Sequence, residues 1–369
     1  MTPDWPAYPT GTGRAFFKMK QKNVLRNAYF KNYRQKMMMI TAMLILICLT
    51  AGISLSHGSM EIGFRAVWSM LWQICTEGYT DEDPRQTIIM VLRLPRVVMG
   101  ALAGFGLGVA GAVFQGVLRN PLASPTTLGV SAAAGLGAAL ALIFNIGFAG
   151  KNFLVVGNAF VFSMIPAMVI FSIARFRQAT PEMMILSGIG MFYIFGAVTS
   201  ILEFLAAQDA LKAMVVWLMG SLGRAKWGEI MITAIVLGIS TPLVIWRSWD
   251  LNLMSLGDDA AKSLGTNPDR SRLILMAIAS LITATVICFT GMIGFIGLVS
   301  PHICRMFIGA DNRMLVPVSG VFGAAFLIAS DLVSRTIISP VIIPVGIITS
   351  CVGGPLFLYL IMTKKKQYW

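Results

Sequence analysis

The amino-acid sequence predicts an all-α, polytopic membrane protein with about ten transmembrane helices. Three observations carry that expectation. Hydrophobic residues make up 56% of the 369-residue chain and charged residues 12%, about half the roughly 25% of soluble proteins. The apolar residues fall in runs of about 20, a length that crosses a hydrocarbon core of roughly 30 Å at 1.5 Å per residue. Glycine, with 36 residues, recurs inside those runs at helical spacing, as it does where helices in lipid approach closely. A water-soluble globule is excluded.

Ten runs lie near 37–56, 96–117, 127–148, 153–174, 183–206, 228–246, 273–291, 294–309, 315–333 and 342–362. Residues 1–36 are polar, with Asp4 as the one acid among eight basic residues. This stretch is longer and more basic than the leading part of a cleavable signal, so it is expected to be a cytoplasmic tail before an uncleaved first span. Residues 363–369, with Lys364, Lys365 and Lys366, form a second short tail. An even number of spans puts both termini on one side, and the Lys/Arg bias makes that side cytoplasmic. Residues 37–362 are then the membrane domain of a multi-pass protein of the plasma or inner membrane. The polar stretch 57–95 is expected outside and 247–272 inside.

In the second span Gly100, Gly104, Gly108 and Gly111 form a smooth stripe, so this helix is expected to be buried among others. The stretch Gly106 to Gly111 spells G-x-G-x-x-G, but inside a membrane helix it lacks the strand that a dinucleotide fingerprint needs. There is no phosphate-loop motif either, so any ATP is handled by another subunit. The excess of 29 Lys+Arg over 16 Asp+Glu lies mostly between apolar runs, where it meets lipid headgroups rather than nucleic acid.

Little points to bond-making chemistry. Cys48, Cys288 and Cys351 lie in apolar runs, and no cysteine spacing resembles a disulfide framework or zinc site. His57 and His302 stand in separate elements without triad-like partners, and a neutral His302 bonded to a carbonyl is the plain reading. No catalytic or metal-ligating set is expected. The alternative function, an ion-gradient-driven secondary transporter of a small solute, usually requires a carboxylate near the bilayer centre. Glu203 and Asp331 sit instead near span ends.

Three segments stand out. Asp331 and Arg335 share a helix face and are expected to pair; with Arg93 and Arg96, which flank Pro95, Arg335 puts positive charge at the outer face, either to anchor headgroups or to dock an acidic partner. Arg119-Asn-Pro-Leu-Ala-Ser-Pro125 is a stiff cytoplasmic hairpin, which suits a plain turn or a constriction. Leu256 to Gly265 reads as a short amphipathic helix with Leu256, Ala260 and Leu264 on one side, Asp258 and Asp259 in the first turn, and Gly265 as the cap.

In order, the chain carries Arg93-Leu-Pro-Arg96, the glycine stripe ending in Gln115, Asn120-Pro-Leu-Ala123, Leu128-Gly129 and Trp217-Leu-Met-Gly-Ser221. Leu256-Gly257, Leu264-Gly265, Gly291-Met-Ile-Gly-Phe-Ile-Gly-Leu-Val-Ser-Pro-His302 with Arg305, Pro317, Asp331, Arg335, Pro344-Val-Gly346 and Gly354-Pro-Leu-Phe357 follow. This series resembles the FecCD-type permeases, membrane subunits of type II ABC importers for iron-siderophore, haem or cobalamin. The resemblance implies a ten-helix permease that is not itself an enzyme and acts as a homodimer or heterodimer. It implies two cytoplasmic ATPase subunits that bind the ATP and Mg, an extracytoplasmic substrate-binding protein, and no cofactor in this chain. By position, Arg93, Arg96 and Arg335 resemble residues that receive acidic side chains of the binding protein, and Asn120, Leu122 and Thr180 the inner constriction. Leu256, Gly257, Asp258, Asp259, Ala260, Ala261, Leu264 and Gly265, within the segment 251–272, resemble the helix that couples to the ATPase. One departure is Ile342, two residues before Pro344, where the family usually has Glu.

Overall fold

The computed structural model describes residues 37–58, 62–80, 83–148, 150, 153–177 and 180–363, and the two expected tails lie outside them apart from Thr363. Residues 1–43 and 44–369 form separate units. The described part of the first is the start of helix α1 (Met37–Ser56), where Thr41 donates to the Met37 carbonyl at 3.0 Å.

After α1 come α2 (Phe64–Glu77), α3 (Pro84–Thr87), a π-helical turn (Ile88–Arg93) and α4 (Leu94–Leu118). There follow α5 (Val130–Phe144), α6 (Leu154–Arg177), α7 (Pro181–Leu205), α8 (Gln208–Leu218) and α9 (Trp227–Met254). The last five are α10 (Asp258–Ser263), α11 (Pro268–Thr290), α12 (Ile296–Ile308), α13 (Asn312–Thr336) and α14 (Val345–Thr363). Seven of the ten expected spans are helices long and apolar enough to cross a membrane. The other three, in α5, α12 and α14, are shorter apolar helices.

The segment Pro84–Leu118 is at the centre, with 78% of its apolar stretch buried against 17% for α7. Its glycines explain this. A Cβ on Gly104 would stand 2.3 Å from the Gly323 carbonyl oxygen, on Gly108 2.2 Å from that of Ser319, and on Gly111 1.8 Å from that of Gly297. Along the expected stripe α4 therefore meets α13 and α12 backbone to backbone, and any side chain would hold them apart.

The sequence reading differs from the structure in three places. The helical path into the second span starts at Pro84 rather than near 96, because Asp83 accepts from the Arg85 amide at 2.8 Å and Pro84 suits the first turn. The stretches expected to be loops hold α2 and α8, amphipathic helices of 14 and 11 residues that bury Val67 and Met70, and Met214 and Trp217. Hydropathy measures the lipid slab and passes over such helices. For the same reason α9 continues past 246 to Met254, with Arg247 paired to Asp250 at 3.2 Å one turn on.

The short helices α5 and α12 are preceded by irregular backbone at residues 119–129 and 291–295. In lipid such backbone survives only where protein buries it or where it lines a cavity.

Gly111→Ala is expected to destabilise the chain by about 1–3 kcal/mol, the usual cost of overpacking. Gly196→Ala on α7, where a Cβ meets nothing within 4 Å, should leave thermal unfolding in detergent unchanged.

Candidate functional site

At one end of α4 a buried carboxylate gathers the arginines. Arg96 holds Asp331 through Nε at 2.9 and 3.0 Å and Nη2 at 2.8 Å, and Arg335 adds Nε at 3.1 Å, so the expected Asp331–Arg335 pair is present. Arg335 also donates to the His57 carbonyl at 3.2 Å, to the Ser54 carbonyl at 3.1 Å and to the Ser54 hydroxyl. Arg93, re-aimed by the π turn it closes, donates to the Leu55 and Ser56 carbonyls. The Ser54, Leu55 and Ser56 carbonyls belong to the last turn of α1, which has no intrahelical donors left, and cations there also complement the helix dipole. Arg93 is 5% exposed, and the side chains of Arg96 and Arg335 are 11% and 9% exposed. The positive surface read from sequence is thus an inward-turned clamp joining α1, α4 and α13.

At the other end of α4 lies the hairpin 119–129. Arg119 takes a left-handed backbone (φ 48°) and closes a Schellman motif, its amide bonding to Gly116 and that of Asn120 to Gln115. Asn120 Oδ1 accepts from the Leu122 amide at 2.8 Å, and Ser124 and Thr127 bond to each other through hydroxyls and backbone. Leu122 projects, 48% exposed. Thr180 is the N-cap of α7, accepting from the Met183 amide at 3.4 Å. No hydrogen bond joins it to Asn120 or Leu122 among the described residues; α7 reaches the hairpin at Gly188, packed on Leu128.

The expected short helix is α10. Gly257 (φ 106°) precedes it, and Gly265 (φ 89°) ends it in a second Schellman motif, with Thr266 bonded to Ala261 and Gly265 to Lys262. Ala261 is the residue it buries. Leu256 and Leu264 are 66% and 59% exposed, so the apolar side read from sequence faces away from the chain. Asp258 accepts from Arg119 at 2.9 Å and from Arg272 at 3.0 and 3.2 Å, whereas Asp259 is exposed and Ala260 half-buried. Nearby, Asp311 caps α13 and binds Asn252 at 2.7 Å and Arg313 at 2.9 Å. The Arg313 hydrogen bonds chiefly hold its carboxyl down to about 2.

A groove of about 470 Å³ is lined by Thr126 of the hairpin together with Ser131, Leu218, Met292, Phe295 and Ser350. Phe295 has φ 65°, a genuine outlier for an aromatic residue, and its ring lies on Gly353 of α14. Ile342, at the family's usual Glu position, is 55% exposed.

The model of the FecCD transport family matches residues 42–363. This chain belongs to that family. A Methanocaldococcus jannaschii protein described as an ABC transporter permease is 40% identical over 92% of this chain and 98% of its own length. The hemin transport system permease of Yersinia pestis is 33% identical over 90% of this chain and 98% of its own. A solved ABC transporter described as of the metal-chelate type, in an inward-facing conformation, aligns with TM-score 0.77 at 28% identity, covering 88% of this chain and 99% of that one. The fold is that of a type II ABC importer permease. The FecCD chain is accordingly a transporter subunit, not an enzyme, and ATP is hydrolysed by a partner subunit.

Sequence reasoning missed Arg272, which is 1% exposed, and Phe295. Arg272 looked like one more basic residue in a polar segment, and only packing shows it buried. Phe295 sits in a glycine-rich stretch that gives no cue to its backbone angle.

Asp331→Asn should strand two buried guanidinium groups and lower stability by about 3–5 kcal/mol, read as a lower melting temperature in detergent. Because folding depresses the Asp311 pKa from 3.8 to about 2, its contribution is complete above the unfolded value and is lost as pH falls through the folded one. The melting-temperature advantage of the parent over Asp311→Asn should therefore shrink steadily as pH drops below about 4.

Proposed function

We propose that this FecCD permease carries a metal chelate of the iron-siderophore, haem or cobalamin class. In this reading it sits in the plasma or inner membrane as a homodimer with both termini cytoplasmic, two ATPase subunits docked at the Asp258 end and a binding protein at the Asp331 end. The observation that carries the reading is α10, a short helix flanked by two outward-facing leucines, Leu256 and Leu264, whose first residue is held at the hairpin bordering the groove. An exposed apolar pair on a pinned polar segment is the kind of anchor a protein partner covers. Relatives named for hemin and metal-chelate transport support the substrate class.

The mechanism contains no covalent step. ATP favours one of two arrangements of the subunits by binding it more tightly, α10 receives that movement, and the groove opens alternately to either side. Leu122 and Asn120 close the hairpin side, with Thr180 fixing the start of α7 beside it. Mostly apolar groove walls suit weak contact with a bulky ligand, and the metal stays inside its chelator.

Docking at the Asp331 end remains part of the proposal. Two guanidinium groups, those of Arg96 and Arg335, share one carboxylate there, so positive charge is left over for acidic side chains of the binding protein, although reaching it requires the clamp to loosen.

Proteoliposomes containing the permease with its ATPase and binding protein should accumulate haemin or a ferric siderophore only with ATP, and not molybdate, an oxyanion without a chelator. Uptake driven by a proton gradient in the permease alone would overturn the reading. Leu264→Glu should cost about 2 kcal/mol or more of ATPase affinity, roughly 30-fold, in a pull-down. Affinity for the binding protein should fall as salt approaches about 1 M, where the Debye length is about 3 Å; salt-independent capture would count against docking at the arginines.

A further inference from the structure

We propose that Arg119 is a positioning residue that ties the coupling helix α10 to the constriction hairpin, so that displacement of α10 moves the hairpin. This rests on the reading of α10 as the ATPase contact.

The backbone gives the first argument. The left-handed position that closes a Schellman motif is usually glycine, because any Cβ is disfavoured there. The chain uses glycine for this purpose at Gly265 but keeps arginine at 119, with φ 48°. A residue held against its backbone preference calls for a reason in its side chain. Here the side chain crosses 139 positions of sequence to place Nη2 2.9 Å from Asp258, the first residue of α10.

The second argument concerns Asp258. Its carboxylate also receives Arg272 of α11, whose side chain is 1% exposed and whose other acid, Asp269, lies 3.5 Å away with a 62% exposed side chain. Releasing Asp258 would leave a buried guanidinium poorly compensated. Arg272 therefore fixes the start of α10 to the helix bundle, and Arg119 extends that fixed point to the hairpin. α10 otherwise packs on α9 and α11.

The third argument is the hairpin's internal stiffness. Ala123 bonds back to Asn120 at 3.1 Å, Leu128 to Ser124 at 3.3 Å and Val130 to Pro125 at 3.2 Å. Movement at residue 119 is passed along this chain of bonds to Thr126, which lines the groove. The link is a side-chain contact between two elements distant in sequence, and its strength depends on geometry rather than on burial, since the pair is about 30% exposed on each side (28% and 31%).

The test uses the full chain assembled with its ATPase subunits in proteoliposomes. Thr126→Cys serves as reporter, with Cys48, Cys75 and Cys351 replaced, and its labelling rate by a membrane-impermeant maleimide is compared without nucleotide and with ATP plus vanadate. The parent should show a nucleotide-dependent change of about fivefold or more, within the usual range of allosteric coupling. Arg119→Gly should melt at the same temperature or higher, retain the ATPase subunits, and lose that change; Arg119→Lys should recover part of it and Asp258→Asn should lose it. If Arg119→Gly does not accumulate, Arg119→Gln carries the same expectation. A full nucleotide-dependent change in the glycine or glutamine variant overturns the proposal, as does its loss together with the ATPase subunits. If Leu264→Glu in an otherwise parental chain keeps both the ATPase subunits and the change, the reading of α10 itself fails, whatever Arg119 does.

Discussion

The missing side chains along one face of α4 set the rest of the structure. Because Gly104, Gly108 and Gly111 present bare backbone to Gly323, Ser319 and Gly297, α12 and α13 close on α4 at distances that no alanine would allow. In lipid there is little hydrophobic force to hold helices together, so close contact between backbones supplies the attraction. With the central helix fixed, its ends lie about 36 Å apart at 1.5 Å per residue, and each end carries an arginine committed to a carboxylate.

Those two carboxylates do different work. Asp331 lies inside the helix bundle with a side chain 3% exposed, and one of its arginines, Arg335, together with Arg93 also satisfies the final carbonyls of α1. Such a cluster costs desolvation and returns definition: three helix ends take one arrangement because any other leaves charge unpaired in a dry setting. Asp258 lies at the edge with a side chain 31% exposed and binds one buried and one accessible arginine. An accessible ion pair is cheap to shift, which suits an element that moves. The groove borders both irregular stretches, at 119–129 and around Phe295, and this matches the rule that non-helical backbone inside a membrane protein lines a cavity or is buried in protein.

Much of this was legible in the sequence, for identifiable reasons. The spans could be read because a hydrocarbon slab demands long apolar runs, and the burial of α4 because Gly100, Gly104 and Gly108 recur every four residues. α10 could be read because Asp258, Asp259 and Gly265 mark its two ends. The amphipathic helices α2 and α8 could not, since their periodic apolar residues are too few to register against ten stronger signals. The arginines were misjudged in one respect. Arg93, Arg96 and Arg335 stand beside polar segments in the sequence, which suggests exposure, yet the fold turns them inward because the end of α1 offers Arg93 and Arg335 carbonyls without intrahelical donors and Asp331 offers Arg96 and Arg335 a carboxylate.

The sequence by itself determined membership of the membrane, the approximate spans, the central helix and the short capped helix, because each is a local pattern matched against a fixed solvent or a fixed helical period. Tertiary structure alone decided which charges face each other: that Asp258 serves Arg119 and Arg272 together, that Asp331 gathers Arg96 and Arg335, and that Leu256 and Leu264 stay uncovered. These depend on distances between residues up to 235 positions apart. No local pattern encodes such a distance, because it is fixed only when the helices have packed.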